Sequence, residues 1–300
     1  MPTHTPQSID EVTQALGKQA YIADPALATA VFLALRLKRP LFIEGEAGVG
    51  KTAAATAVAA SLGARLIRLQ CYEGIELSQA AYEWDYARQL LHIRLAESES
   101  ERRGIEEELY SPRFLLRRPL LEAIDNDDEV PPVLLVDEID RSDEEFEAFL
   151  LEMLSDFQIS IPELGTIRAR RPPLVLLTSN RTREVHDALK RRCLYAWIDY
   201  PDLDKEVAIV RARAPEASLR LAREVSALVQ SLREMDLYKL PGVSETLDWV
   251  RALISLGAAG LDPVLVEATL GAAVKYQEDL ERVRGALPAL IPQALERADG

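Results

Sequence analysis

The sequence predicts an α/β fold, a parallel sheet covered by helices on both faces, followed by a small all-helical domain. Three observations carry this. The apolar run Leu41-Phe42-Ile43 leads into Gly45-Glu46-Ala47-Gly48-Val49-Gly50-Lys51-Thr52, a strand, loop and helix that meet the pattern G-x-x-x-x-G-K-[ST] at every required position. Further short runs at 64–71, 132–136, 174–178 and 194–198 are rich in Leu, Val and Ile, and most show little polar alternation, as strands buried on both faces do. From about Asp202 strand signals vanish and helical periodicity takes over, with Pro201 at the switch. The expected division is an α/β domain over 1–200 and a helical domain over 201–300.

In chain order, residues 8–20 have helical periodicity, and Asp24 as N-cap with Pro25 in the first turn opens a second helix over 26–35. Tyr21-Ile22-Ala23 is an apolar patch that serves equally as core or as a rest for a purine ring. After the glycine loop comes an Ala-rich helix, 53–62, whose small side chains allow close packing on a sheet, and Gly63 supplies its stop. The alternation in Phe157-Gln158-Ile159-Ser160-Ile161, a turn through Gly165 and Thr166-Ile167-Arg168 predict a β-hairpin. Beyond Pro201, helices are expected over 206–214, 219–235, 244–256, 263–280 and 286–297.

Composition narrows the function classes. A chain of 300 residues with 48% hydrophobic content buries a full core. It has no apolar run of membrane-spanning length, and its first residues lack a basic segment followed by an apolar one, so a cytoplasmic protein without membrane insertion is expected. Cys71 and Cys193 stand far apart and His4, His92 and His186 form no ligand cluster, which indicates neither a disulfide framework nor a zinc site. The net charge of −14 argues against a nucleic-acid tracker, which would need clustered Lys and Arg, and favours a protein partner.

The chemistry is carried by four groups of residues. In the loop, glycines let backbone N–H groups wrap phosphate oxygens, Lys51 reaches the β- and γ-phosphates, and the Thr52 hydroxyl is placed for Mg²⁺, which implies ATP with Mg²⁺ as the ligand. The strand Val133-Leu134-Leu135-Val136 ends in Asp137-Glu138, the first for the metal side and the second to polarise an attacking water. The strand at 174–178 runs into Ser179-Asn180, whose amide would hydrogen-bond the γ-phosphate or the water. A helix end at Lys190-Arg191-Arg192 carries cations that either complement the helix dipole or act as an arginine finger on a neighbouring subunit.

Taken in order, these features resemble the AAA+ ATPases, and the chain is similar to their MoxR type over roughly residues 8–285. The resemblance implies a P-loop AAA+ core with Lys51 and Thr52 in Walker A, Asp137 and Glu138 in Walker B, Asn180 as sensor 1 and Arg192 as the finger, with Arg191 in reserve, because Ala188-Leu189-Lys190-Arg191-Arg192 matches the pattern Ala-Leu-x-x-Arg. It also implies an inserted element within 72–118, a hairpin before sensor 1, and self-association into a hexameric ring. The stretches Tyr72-Glu73-Gly74-Ile75-Glu76 and 86–94 look most similar to the CoxD-like branch. That branch implies a chaperone that matures a molybdenum hydroxylase or related metalloenzyme together with a von Willebrand factor A domain protein. One departure stands out: where the family carries a lid arginine, this chain has Thr246, which leaves lid closure to other contacts such as Lys239 or Arg251. The competing readings are a nucleotide-switched binding module with little turnover and a small-molecule P-loop kinase, against which Glu138 speaks. No [NT]-K-x-D segment for guanine is present.

Overall fold

The computed structural model describes residues 6–95 and 108–299. Among them the chain starts with α1 (Ile9–Gly17) and α2 (Pro25–Leu37), then β1 (Leu41–Gly45), α3 (Lys51–Leu62) and β2 (Leu66–Gln70). A short helix α4 (Leu77–Ala80), β3 (Tyr82–Trp84), α5 (Tyr86–Leu95), β4 (Leu115–Arg117) and α6 (Pro119–Ile124) follow. Next come β5 (Val133–Asp137), α7 (Glu144–Asp156), β6 (Gln158–Ile161), β7 (Gly165–Arg168), β8 (Leu174–Ser179), α8 (Asp187–Arg192) and β9 (Leu194–Ile198). The remainder is helical: α9 (Leu203–Arg213), α10 (Leu219–Arg233), α11 (Val243–Ser255), α12 (Pro263–Thr269) and α13 (Gln277–Asp299).

The predicted strands form one sheet of order β2-β5-β8-β1-β9, and β1–β8, β2–β5 and β5–β8 pair in parallel. Burial explains their patterns. β1 and β5 are buried at every position, so only apolar side chains suit both faces, whereas β2 at the sheet's edge alternates, burying Ile67 and Leu69 and turning Arg68 and Gln70 out. The register places Gln70 opposite Asp137 and Arg68 opposite Leu135. β6 and β7 pair antiparallel as the expected hairpin. Between β2 and β5, β3 and β4 form a separate two-stranded sheet; 96–107 of the expected insert lie outside the described residues.

By internal contacts the chain divides into two compact units. One takes in Ala26–Glu44 and Val58–Ala196 with the residues up to Val12; the other takes in Thr13–Pro25, Gly45–Ala57 and Trp197–Gly300. The first has its core around Phe42, Leu134, Val136, Leu177, Phe146 and Leu150. In the second, Trp249 is fully buried among Val225, Leu228, Val250 and Val283, and its indole N–H donates to Thr269 Oγ1 at 2.8 Å, so its burial leaves no unpaired donor.

One helical expectation changes. In place of helices over 263–280 and 286–297, α12 ends at Thr269 and α13 runs unbroken from Gln277 to Asp299 through Pro288 and Pro292. The two prolines lie four residues apart on the exposed face, where the lost hydrogen bonds meet solvent, while Val283, Leu287, Ile291 and Ala294 bury the opposite face and hold the helix. The earlier break is fixed by Lys275, whose Nζ donates to the carbonyls of Gly271 and Ala272.

Candidate active site

In the second unit, the loop after β1 has the backbone that its glycines were expected to allow, with φ of +81° at Gly48 and +100° at Gly50. A side chain at Gly45 is excluded, since a Cβ there would lie 2.1 Å from the Ile198 carbonyl oxygen. Lys51 is buried, and its Nζ donates to the carbonyls of Gly45 and Glu46 at 2.7 and 2.6 Å. The ammonium thus sits in a ring of backbone oxygens at the mouth of the N-terminal end of α3, where a phosphate would compete for it. Glu46, Ala47 and Val49 complete the loop, and Thr52 stands in the first turn of α3. Tyr21 and Ile22 line a cavity of about 90 Å³ with Gly48, Gly50, Lys205 and Arg213. Burial, with Asp24 nearby, raises the Tyr21 phenol above its usual range, so it stays a neutral wall. Asp24 also receives Lys205 Nζ at 2.5 Å.

The same unit brings the start of α11 onto the loop. Val243 N donates to the Gly48 carbonyl at 2.9 Å, and a Cβ on Gly242 would come 2.7 Å from Gly48 Cα. Glu245 caps this end by accepting from Gly242 N at 3.0 Å. Thr246, at the position of the missing arginine, is fully buried and donates to Glu206 Oε1 and the Gly242 carbonyl, so it is an internal strut. Lys239 uses its backbone N–H on Asp279, and Arg251 bonds the Arg213 carbonyl.

In the first unit, Asp137 and Glu138 stand at the C-terminal end of β5 beside Asn180 at the end of β8. Asp137 is 2% exposed. Its Oδ1 accepts from Thr178 Oγ1 and its Oδ2 from Arg68 Nε and Nη2 at 3.0 and 2.6 Å. The Thr178 hydroxyl also accepts from Glu138 N at 2.9 Å, tying the two acidic residues to one point on the neighbouring strand. Glu138 adopts a left-handed conformation (φ +56°), a strained setting for a side chain that such sites retain when direction matters. Its Oε1 accepts from Asn180 Nδ2 at 3.3 Å and its Oε2 from Gln70 Nε2 at 3.1 Å, with Arg141 Nη1 at 3.2 Å. Asn180 is itself set by Asp140, which accepts from its backbone N–H and from Thr182. The structure therefore gathers Asp137, Glu138 and Asn180 into one hydrogen-bonded cluster.

Arg191 and Arg192 end α8 with exposed side chains. Their carbonyls are the engaged groups: Arg39 forks onto the carbonyls of Arg191, Arg192 and Cys193, satisfying the helix end. Lys190 instead turns inward, with Nζ 3.5 Å from Glu44 Oε1.

Sequence reading missed Arg68, Gln70, Thr178 and Asp140. In β2 the residues Arg68 and Gln70 share one face, and only the strand order β2-β5-β8 shows that this face adjoins Asp137 and Glu138.

A phosphate loop after the first strand of a parallel sheet, and a strand-end Asp-Glu pair in contact with a strand-end Asn, define a P-loop nucleoside triphosphatase. Residues 41–196 match the ATPase family associated with various cellular activities (AAA). The chain belongs to this family and is an ATPase. Among solved structures it is similar to a protein from Cytophaga hutchinsonii described as a candidate ATPase, at 13% identity and a TM-score of 0.50, covering 95% of this chain and 93% of that one. It is also similar to the Thermotoga maritima RuvB Holliday junction branch migration motor, at 16% identity and a TM-score of 0.45, covering 89% of this chain and 72% of that one. No curated protein matches it in sequence.

Proposed function

We propose that this chain is a Mg-ATP-dependent ATPase of the MoxR type, working as a ring that couples hydrolysis to the remodelling of a protein client, a metalloenzyme matured as in the CoxD-like branch. The observation that carries the hydrolytic reading is the contact of Asn180 Nδ2 with Glu138 Oε1, which aims a carboxylate held on its other oxygen by Gln70. A carboxylate fixed in that way is suited to orient and deprotonate a water rather than to bind a sugar or base. In this reading Lys51 leaves the carbonyls of Gly45 and Glu46 for phosphate oxygens, and the N–H groups of the 45–52 loop close around them. Thr52 and Asp137 would hold Mg²⁺, since a hydroxyl and a carboxylate are the hard oxygen donors that ion takes. The chemistry such an ion would supply there is neutralisation of charge on the phosphoryl group. Arg192 serves the neighbouring subunit's site, a role consistent with its exposure at the end of α8.

The remodelling part rests on the β3–β4 element between β2 and β5 and on the β6–β7 hairpin before Asn180, both of which the MoxR resemblance leads one to expect. The test is ATP turnover with and without a purified protein carrying a von Willebrand factor A domain, together with the metal content of a molybdenum hydroxylase matured alongside wild type or Lys51→Ala. Turnover that rises with the protein partner, and a client left incomplete by Lys51→Ala, is the expected result. Stimulation by DNA that disappears with salt, with no response to protein, overturns it.

A further inference from the structure

We propose a second binding site in the first unit, at the N-terminal ends of β5 and β8, that takes an acidic peptide segment of a protein partner carrying apolar side chains between its carboxylates. This goes beyond the nucleotide chemistry, which uses the opposite ends of the same two strands. The site is a cavity of about 350 Å³ with an apolar floor of Ala34, Leu35, Leu62, Pro131, Pro172 and Leu174. That volume holds two large apolar side chains, and the prolines give its wall a fixed backbone in advance of binding.

The rim carries Lys38 and Arg39 from the end of α2 and Arg170 and Arg171 from the segment before β8, all exposed. Four cations at one cavity stand out on a chain of net charge −14. Two of the four heads are steadied by neutral groups, which leave their charge uncancelled. Arg39 is fixed on three carbonyls at the end of α8, and Arg171 Nη1 donates to the Glu129 carbonyl at 2.7 Å. Arg170 pairs with Asp127 at 3.1 Å. Asp128 is drawn away to Arg65.

Lys38 adds an independent observation. It follows α2 with φ of +52°, the left-handed position at a helix end where glycine or asparagine is ordinarily found. A lysine held there costs stability that glycine would not, so the position favours the charge over the helix end. Cations on two sides of an apolar floor match a ligand with anionic groups on both sides of an apolar middle. A peptide of the form acid, two or three apolar residues, acid has that chemistry.

The experiment uses the full chain without nucleotide and a fluorescein-labelled peptide, Asp-Asp-Leu-Phe-Leu-Asp-Asp, followed by anisotropy, with a Lys-for-Asp counterpart as control. Saturable binding of the acidic peptide only, weakened between 50 and 300 mM salt and about tenfold in a Lys38→Glu/Arg171→Glu variant, is expected. Lys38→Gly keeps the test clean of folding defects, because it should melt no lower than wild type and still lose affinity. Equal binding of both peptides, unchanged affinity in the variants, or no saturation up to 1 mM overturns the proposal. So does a simple dicarboxylate such as suberate binding where the peptide does not, which would make the cavity a small-molecule site.

Discussion

Replacing Glu206 by glutamine should unfold the helical unit far more readily than its near-identical shape implies. Glu206 is fully buried, and its Oε1 accepts from Arg233 Nη2 at 2.8 Å and Thr246 Oγ1 at 2.6 Å. Its Oε2 accepts from Arg233 Nη1 and Gln230 Nε2, both at 2.8 Å. The Arg233 side chain is 7% exposed. Glutamine supplies one acceptor oxygen in place of two and turns an NH₂ group toward donors, leaving a desolvated guanidinium without its counter-charge. Breaking one side of such a pair costs about 3–5 kcal/mol, whereas exchanging both partners for apolar residues of similar volume is often neutral. Glu206→Gln is therefore expected to lower the urea midpoint by an amount equal to about 3–5 kcal/mol at unchanged slope, and Glu206→Met/Arg233→Met to recover part of that loss. The recovery is incomplete because Thr246 and Gln230 each lose one of two acceptors, keeping the carbonyls of Gly242 and Pro201. The assay is urea unfolding followed by far-UV circular dichroism. A loss under about 1 kcal/mol in the single variant, or a double variant as unstable as the sum of the singles, would refute the account of this cluster.

Further outcomes follow from the site. Lys51→Ala should abolish tight Mg-ATP binding, while Glu138→Gln should bind it and stall; affinity lost equally in both by equilibrium titration contradicts the assignment. Arg192→Ala and Lys51→Ala should each be inactive, and mixed rings should regain part of the turnover at interfaces joining an intact loop to an intact finger. Loss of a finger costs ~10³ to 10⁵ in rate, and a fully active Arg192→Ala passes the role to Arg191. Gly242→Ala should cost about 1–3 kcal/mol and weaken nucleotide binding, since its Cβ meets Gly48, whereas Gly271→Ala, with nothing within 4 Å, should leave binding unchanged. Burial pushes the thiols of Cys71 and Cys193 up to about 12, so both should resist Ellman's reagent at pH 8 until the protein unfolds. Because the folded thiols titrate above their ordinary value of 9.0, their contribution to stability is complete below pH 9 and is lost as pH rises toward 12.

The sheet was legible because strands buried on both faces have to be continuous apolar runs, and Leu41-Phe42-Ile43 or Val133-Leu134-Leu135-Val136 admit few other readings. Glycine punctuation was equally direct: Gly63 does take φ of +63° after α3. What stayed hidden depends on which strand lies beside which. Gln70 meets Glu138 across 68 positions of sequence, and nothing local to either residue records the neighbour. The prolines of α13 misled for a related reason, since whether a proline stops a helix is decided by which face it occupies, and that is set by residues elsewhere that bury Val283 and Ile291. Thr246 could be read as a missing arginine but not as a strut, because its acceptor Glu206 lies 40 positions away on another helix, where Arg233 from a third helix holds it.

The strand order also has a consequence for how the chain is made. β1, which carries the phosphate loop at its end, lies between β8 and β9, and both of these are synthesised after nearly all the rest of the sheet. A ribosome therefore releases Leu41-Phe42-Ile43, three side chains buried to 1% or less in the finished protein, long before the strands that cover them exist. Non-local parallel pairing closes slowly because the loop entropy has to be met before any contact is gained. The strand that leads into the glycine loop is thus open to wrong association in the nascent protein, and its shelter depends on translation reaching β8 and β9.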